Sequence, residues 1–190
     1  MDFSFLKRQM RTDLIRRRSE IEPDYARSSA QSLLSFIRRM DIPAGSAVSA
    51  YWPMKSEIDV RPVMHFLHEA GMTVCLPVVT EKGEAMLFRR WAPEETLVVG
   101  MYGVEQPGEN CEAVVPDVLL LPLVAFDRNG GRLGYGGGFY DRTLVRLRRE
   151  GLHRIGGVAF AMQEVEKVPQ EETDETLDFI VTEKEFIEVG

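Results

Sequence analysis

The sequence of 190 residues contains only two cysteines and no long hydrophobic run. Cys75 and Cys111 do not form a close pair and have no metal-ligand neighbours, so we predict two reduced thiols and no metal cluster there. No apolar stretch approaches the roughly 18 residues that would cross a bilayer. The N-terminal segment also lacks the apolar core and cleavage site of a signal peptide. We therefore expect a cytoplasmic protein with no membrane partner.

The chain also lacks the overall positive charge that is typical of nucleic-acid binding. Its formal net charge is −7, and its composition is that of an ordinary globular chain. Basic residues cluster locally near the N-terminus: Lys7, Arg8, Arg11, Arg16, Arg17 and Arg18. A local positive patch on an acidic protein favours a small anionic ligand. We expect a monomer that binds a small molecule and no nucleic acid.

Hydrophobic periodicity predicts alternating helices and strands. Leu6, Met10 and Leu14 are spaced as on an amphipathic helix, and Pro23 begins a second helix. Further helices are predicted in "RPVMHFLHEAG" and "YDRTLVRLRREG". Strands are predicted in "SAVSAYW", "MTVCLPVV", "AMLFRRW", "DVLLLPLVAFD", "RIGGVAFA" and, as the last strand, "LDFIVTE".

This alternation predicts the fold class. Strands that alternate with helices are typical of a single α/β domain, here residues 1–190, with a mainly parallel central sheet flanked by helices. The segment "DVLLLPLVAFD" is apolar almost throughout, so we expect it to form one central strand with both faces covered.

A glycine-rich stretch, "GGRLGYGGGFYDR", follows that central strand and precedes a helix. Such a turn lies at the carboxyl edge of the sheet, where open α/β folds bind ligands, and its bare N–H groups can surround phosphate oxygens. Its spacing is neither the dinucleotide-binding nor the P-loop pattern. Arg132 offers paired donors to phosphate, and Asp141 is suited either to ligate a metal or to cap the helix. A tight turn without a ligand is the alternative interpretation.

The stretch "LLLPLVAFDRNGGRLGYGGGFYDRTL" closely resembles the 5-formyltetrahydrofolate cyclo-ligase family. The resemblance continues through "YWPMKSEIDVRPV", "VCLPVV", "YGVEQP" and "VEKVPQEETDETLDFIVT", and so covers nearly the whole chain in order. It implies a fold similar to the sugar-phosphate isomerase and CoA-transferase group. It also implies that ATP and Mg²⁺ are used to convert 5-formyltetrahydrofolate into 5,10-methenyltetrahydrofolate through an iminium phosphate, a phosphorylated form of the formyl group.

The resemblance also implies which residues bind ATP. Lys7 and Arg11 match phosphate contacts on the first helix, and the glycine-rich loop supplies the rest of the set. The loop residues are Arg132, Leu133, Gly134, Tyr135, Gly136, Gly137, Gly138, Phe139 and Tyr140. Within these two groups, Lys7, Arg132 and Tyr140 match catalytic positions.

Metal and folate residues follow from the same resemblance. Asp141 and Asp174 match two Mg²⁺ ligands. Glu57 matches a substrate carboxylate, which can accept two N–H bonds from the amino-pyrimidine edge of a pterin. The other residues that match the folate site are Tyr51, Met54 and Tyr102.

Each of these residues has a plainer interpretation without the resemblance. Lys7 then lies on a solvated helix face, Glu57 is a loop charge near a helix start, and Asp174 is one acid among several. Tyr51 and Met54 read as core residues.

Several positions depart from the family pattern. Tyr102 stands where many relatives have Trp, and Phe139 replaces a common Tyr. Tyr135 and Gly137 replace basic residues found in some relatives, so Arg132 and the N-terminal helix are expected to supply more of the positive charge.

Two other functions compete with the cyclo-ligase interpretation. A catalytically silent protein that binds nucleotide or folate could use the same fold, but the cationic and acidic positions are present together, which favours an enzyme. A sugar-phosphate isomerase would share the fold but would need neither the glycine-rich loop nor the basic helix in combination.

Overall fold

The computed structural model, which describes residues 3–171 and 174–190, contains four α-helices and eleven strands in these ranges. The helices are α1 (Phe3–Ser19), α2 (Pro23–Ile37), α3 (Arg61–Glu69) and α4 (Phe139–Glu150). The strands are β1 (Ala47–Ser49), β2 (Thr73–Val78), β3 (Leu87–Arg90), β4 (Leu97–Val99), β5 (Glu105–Pro107), β6 (Val118–Pro122), β7 (Ala125–Phe126), β8 (Arg132–Leu133), β9 (Arg154–Val158), β10 (Phe179–Val181) and β11 (Phe186–Glu188).

Seven of these strands form one sheet in the order β11-β10-β9-β6-β1-β2-β3. The five inner strands run parallel, and the two edge strands β11 and β3 are antiparallel to their neighbours. The predicted α/β fold with a mainly parallel central sheet is therefore confirmed.

The sheet is covered on both faces, as the apolar sequence of β6 predicts. Leu120 packs into the cluster that includes Leu33 of α2 and Met64 of α3, whereas Leu119 packs with Leu144 of α4 on the opposite face. Alternate side chains of a strand point to opposite faces, which explains this division. Each fully buried leucine contributes about 1.5–3 kcal/mol relative to an exposed one.

The prediction that "DVLLLPLVAFD" forms one continuous strand is wrong. β6 ends at Pro122, and the backbone N–H of Val124 then donates to Leu133 O (2.7 Å) in the small β7–β8 hairpin. Side chains replace the lost sheet partners, because Leu123 O accepts hydrogen bonds from Arg18 Nη1 (3.1 Å) and Gln163 Nε2 (2.6 Å). The chain thus leaves the sheet without burying an unpaired carbonyl.

Three further differences concern strands. β1 covers only the first part of the predicted "SAVSAYW". The segment "LDFIVTE" does not hold the last strand, since β11 follows β10 and pairs with it. The β4–β5 hairpin, which pairs Leu97–Val99 with Glu105–Pro107, has short half-exposed strands and no strong alternation, so it was not predicted.

The order of the strands creates a crevice at the carboxyl ends of β1 and β6. From β1 the chain moves to β2 on one side, whereas from β6 it moves to β9 on the other side. Ligands of open α/β sheets bind at such a switch point. α1 packs nearby through Leu14, which contacts Val124, Leu133 and Val168. Within residues 3–171 and 174–190, no helix combines the length and apolar character needed to span a membrane.

Candidate active site

The glycine-rich loop connects β8 to α4 at this crevice. Gly136 and Gly138 adopt positive φ angles of 94° and 65°, and Gly138 is the N-cap of α4. A Cβ at Gly136 would lie 3.2 Å from Arg11 Cζ in a conformation that other residues rarely adopt. The alternative that Asp141 caps the helix is not observed, because Asp141 lies within the first turn and no side chain caps α4.

The first helix contacts this loop directly through Arg11. Arg11 Nε donates a hydrogen bond to Gly134 O at 2.8 Å. Partial burial lowers the pKa of Arg11 from its usual value, and the guanidinium still remains charged at neutral pH. A cation of α1 therefore lies against the bare backbone of the loop.

The predicted cationic and acidic residues form two ion pairs. Arg132 is buried and its Nη2 lies 2.5 Å from Asp141 Oδ1, while Lys7 Nζ lies 2.9 Å from Asp174 Oδ2. Arg132 Nε also donates to Glu175 O at 3.0 Å. One pair is local, with its partners nine residues apart, whereas the other joins residues 167 positions apart.

The two ion pairs are neighbours. Partial burial opposes ionisation of Asp174, but the backbone N–H of Glu171, Lys7 and the charge of Arg132 hold its pKa below the usual value. Arg132 thus acts on both carboxylates. The quoted motif "EETD" also includes Glu172 and Thr173, which lie outside the described residues.

Asp141 and Asp174 are the carboxylates of the two ion pairs, and carboxylate oxygens are suited to ligate a divalent cation. Among residues 3–171 and 174–190, no three His, Cys, Asp or Glu side chains converge to make an all-protein metal cage. Mg²⁺ typically binds one or two carboxylates and completes its shell with water and phosphate oxygens. The donor set therefore fits Mg²⁺ that arrives with a nucleotide.

Glu57 lies across the crevice, in the segment that follows β1. Its Oε2 accepts a hydrogen bond from the N–H of Met54 at 2.8 Å, whereas the buried Oε1 has no partner in the described part of the chain. Burial raises the pKa of Glu57, and the Met54 N–H, the Tyr135 hydroxyl and Arg18 partly oppose that rise. A buried acceptor without a partner is costly, so Oε1 is suited to bind a donor from a ligand.

The aromatic residues of the predicted sites lie at different depths. Tyr51 is in the core and donates its hydroxyl to Ile58 O at 2.9 Å, which matches its plainer interpretation. Tyr140 is partly buried, and burial raises the pKa of its hydroxyl. Exposed Tyr102, with a φ of 64°, packs edge-on against Phe139 with 5.7 Å between ring centroids. The predicted folate and ATP residues therefore meet at this contact.

Sequence reasoning assigned no individual role to two arginines at the site. Arg18 is only 2% exposed and contacts both sides of the crevice. The sequence signal for the burial of Arg18 is the spacing of Leu6, Met10 and Leu14, because position 18 is the next one on that apolar stripe. Arg142 donates to Gly137 O at 2.9 Å and gave no comparable signal.

Comparison with known proteins relates this geometry to one family. Residues 4–183 match the sequence profile of the 5-formyltetrahydrofolate cyclo-ligase family. The chain is 35% identical over 174 residues to 5-formyltetrahydrofolate cyclo-ligase of Escherichia coli (strain K12), covering 87% of this chain and 94% of that protein. It is 30% identical over 188 residues to the enzyme of the same name from Mycolicibacterium smegmatis, covering 95% of each chain.

A solved structure agrees with the fold. The NMR structure of 5,10-methenyltetrahydrofolate synthetase from Aquifex aeolicus superposes with a TM-score of 0.79 at 28% identity. The superposition covers 97% of this chain and 93% of that one.

Proposed function

This chain belongs to the 5-formyltetrahydrofolate cyclo-ligase family, and on that premise we propose that it uses Mg²⁺ and ATP to convert 5-formyltetrahydrofolate into 5,10-methenyltetrahydrofolate. The formyl oxygen attacks the γ-phosphorus of ATP, and the bond between that phosphorus and ADP breaks. The N10 amine of the folate then attacks the formyl carbon and loses its proton. That attack closes the new ring, and phosphate then leaves with the former formyl oxygen to give the methenyl product.

The observation that carries this proposal is the pair of neighbouring ion pairs beside the glycine-rich loop. Lys7 contacts Asp174, and Arg132 contacts Asp141, at 2.9 and 2.5 Å. Phosphoryl transfer depends chiefly on positioning and on neutralising charge, so two cations, two carboxylates and a bare backbone form a suitable set. Mg-ATP carries charges of both signs that complement this set. Mg²⁺ can bind the two carboxylates, and the phosphates can bind the two cations.

The residues on the nucleotide side have different roles. Lys7, Arg11 and Arg132 bind phosphate oxygens, and the N–H groups of Gly134 to Gly138 surround them. Asp141 and Asp174 would hold Mg²⁺, which when bound neutralises phosphate charge during the transfer. Tyr140, at the start of α4, packs against the core beside the loop, and burial raises the pKa of its hydroxyl.

The residues of the folate side orient the substrate. Glu57 accepts N–H bonds from the pterin through the otherwise unpaired Oε1. Met54 and Tyr51 support the segment that carries Glu57, and Tyr102 offers an exposed ring for stacking. The formyl group would then lie between the pterin and the phosphate-binding loop.

The direct test is to mix purified protein with 5-formyltetrahydrofolate and follow the near-ultraviolet absorbance of the methenyl product. The proposal predicts an increase that requires ATP and Mg²⁺ together, with one ADP formed for each product. Binding of both ligands without any increase would instead indicate a silent regulator. We further propose a monomer in the cytoplasm, and sedimentation of the purified protein tests its oligomeric state.

A further inference from the structure

Arg18, near the end of α1, connects three segments around the crevice. Its Nε donates to Ser56 Oγ at 3.1 Å, its Nη1 to Leu123 O at 3.1 Å, and its Nη2 to Tyr135 Oη at 2.5 Å. Ser56 precedes Glu57 in the segment after β1, Leu123 follows β6, and Tyr135 belongs to the glycine-rich loop. One side chain therefore joins the folate side, the sheet and the nucleotide side.

This contact set needs the geometry of a guanidinium. Arginine presents its donors in a fixed planar fork, so three acceptors in three directions can be satisfied at once. The side chain is buried, and Cζ also lies 5.7 Å from the centre of the Tyr135 ring. A lysine at this position would bring the charge and three donors, but all three radiate from one nitrogen and do not match acceptors arranged around a planar fork.

The charge of Arg18 has no direct counterion. In the part of the chain that the structure describes, no carboxylate lies within ion-pair distance of its guanidinium, whereas Arg16 and Arg17 of the same helix both pair with Asp13. The acid that it influences is Glu57, whose ionised form it favours. A buried cation is costly without compensation, so the neighbouring carboxylate and the cation stabilise each other.

We propose that Arg18 is a positioning residue that keeps Glu57 in register with the glycine-rich loop and keeps its carboxylate available to the folate. This inference rests on the proposed function. Arg18 acts through Ser56 and Tyr135 and does not itself contact the reacting atoms. Its removal therefore impairs folate use more than nucleotide binding, since Arg11 contacts Gly134 of the loop and Lys7 contacts Asp174 without any help from Arg18.

The charge part of the proposal depends on every group that faces Glu57. The groups that interact with the Glu57 carboxylate are the hydroxyls of Tyr51, Tyr135 and Tyr140 and the cations Arg18 and Lys55. Burial also acts on this carboxylate. Of these, Arg18 and Lys55 are the cations, and Lys55 is exposed. Arg18 is therefore the buried cation that favours ionisation of Glu57, alongside the Met54 N–H and the Tyr135 hydroxyl.

The test compares Arg18→Gln with Arg17→Gln, a matched change at an exposed arginine of the same helix. Wild-type turnover is measured first, because an inactive wild-type protein would contradict the proposed function and not this inference. We expect Arg18→Gln to lower kcat/KM for 5-formyltetrahydrofolate about 10-fold or more relative to Arg17→Gln, which is typical of losing bonds from a charged group. The KM for ATP should change much less.

The pH profile separates charge from packing. Arg18→Gln should move the acidic limb of kcat/KM for the folate to higher pH, so its deficit is larger near about pH 6 than near about pH 8.5. Arg18→Lys keeps the charge and should restore the position of that limb while kcat/KM stays low. A purely structural role would lower activity equally at all pH values.

A milder variant tests the same proposal in case Arg18→Gln fails to fold. Tyr135→Phe removes a single partner of Arg18, and we expect it to raise the folate KM in the same direction by a smaller factor. Folate affinity measured by calorimetry at equal thermal stability provides a readout that does not need turnover. An Arg18→Gln protein with the folate affinity and pH profile of Arg17→Gln would overturn the proposal, as would equal losses for folate and ATP.

Discussion

Lys7 Nζ lies 2.9 Å from Asp174 Oδ2, which joins the first helix to a segment 167 residues later. Both side chains are largely withdrawn from solvent, with 13% and 20% exposure. The N-terminal helix is therefore part of the candidate site and not a peripheral extension. The same pairing places a cation suited to phosphate beside a carboxylate suited to Mg²⁺.

Replacing Lys7 by Met should weaken the use of ATP. The variant keeps most of the apolar length of the side chain but loses the charge, so we expect kcat/KM for ATP to fall about 10- to 100-fold. The control is Arg8→Met, since Arg8 is the adjacent exposed cation of α1. Steady-state kinetics with varied ATP measures the difference, and equal kinetics for the two variants would remove Lys7 from the nucleotide site.

Asp141→Asn should abolish most turnover while the protein stays folded. Asn keeps a hydrogen-bond acceptor for Arg132 but not the charge that a divalent cation needs, so we expect at least about a 100-fold loss in kcat. The side chain is 41% exposed, and a loss of about 1 kcal/mol would lower Tm by about 2–4 °C.

The control for Asp141 is Glu150→Gln, at an exposed acid of the same helix. Turnover measured over a range of Mg²⁺ concentrations, together with thermal unfolding, distinguishes the two variants. Full activity of Asp141→Asn would show that Asp141 is not a metal ligand.

Glu57→Gln should impair the folate far more than the nucleotide. Its buried Oε1 has no partner in the described residues, and an amide at that position cannot accept charge-assisted bonds. We expect kcat/KM for 5-formyltetrahydrofolate to fall about 10- to 100-fold with little change in ATP binding. Glu69→Gln, at an exposed acid of α3, is the control, and equal damage to both substrates would contradict the assignment.

The same substitution should stabilise the ligand-free protein at neutral pH. Burial raises the pKa of Glu57 in the folded state, so the unfolded state ionises first as the pH rises. The contribution of Glu57 to the free energy of unfolding is therefore fully present below its pKa in the unfolded state. That contribution is lost as the pH rises through its pKa in the folded state. Glu57→Gln avoids this loss, and its Tm should exceed that of the wild type at about pH 7–8 and approach it near about pH 4.

Thermal unfolding over this pH range, with Glu69→Gln as the reference, measures the effect. A lower Tm for Glu57→Gln at neutral pH would indicate that the attraction between Glu57 and Arg18 outweighs the cost of burying the carboxylate, contrary to the raised pKa.

Periodicity and strand–helix alternation were sufficient to predict the class of the fold. The stripe of Leu6, Met10 and Leu14 predicted α1, and the apolar run around Leu119 predicted a central strand. The end of β6 could not be predicted, because it depends on side chains such as Gln163 that arrive from elsewhere and bind the Leu123 carbonyl. Edge strands such as β11 carry weak patterns because one side of each is unpaired.

The candidate site was predictable where a residue type and a motif coincide, as at Arg132 and Asp141. Lys7 and Asp174 were identified through the resemblance alone, since nothing local distinguishes either from an ordinary surface charge. Their contact is a tertiary one over a long sequence separation. Arg18 received no individual role because a charged residue is expected to face solvent.

The most direct test of the central claim follows the formyl oxygen. Substrate whose formyl group carries heavy oxygen is incubated with the protein, ATP and Mg²⁺, and the released phosphate is analysed by mass spectrometry. If the formyl oxygen attacks the γ-phosphorus, one labelled oxygen appears in each phosphate released with methenyl product. Product formed together with unlabelled phosphate would contradict the proposed mechanism, because the γ-phosphate would then have been transferred to water.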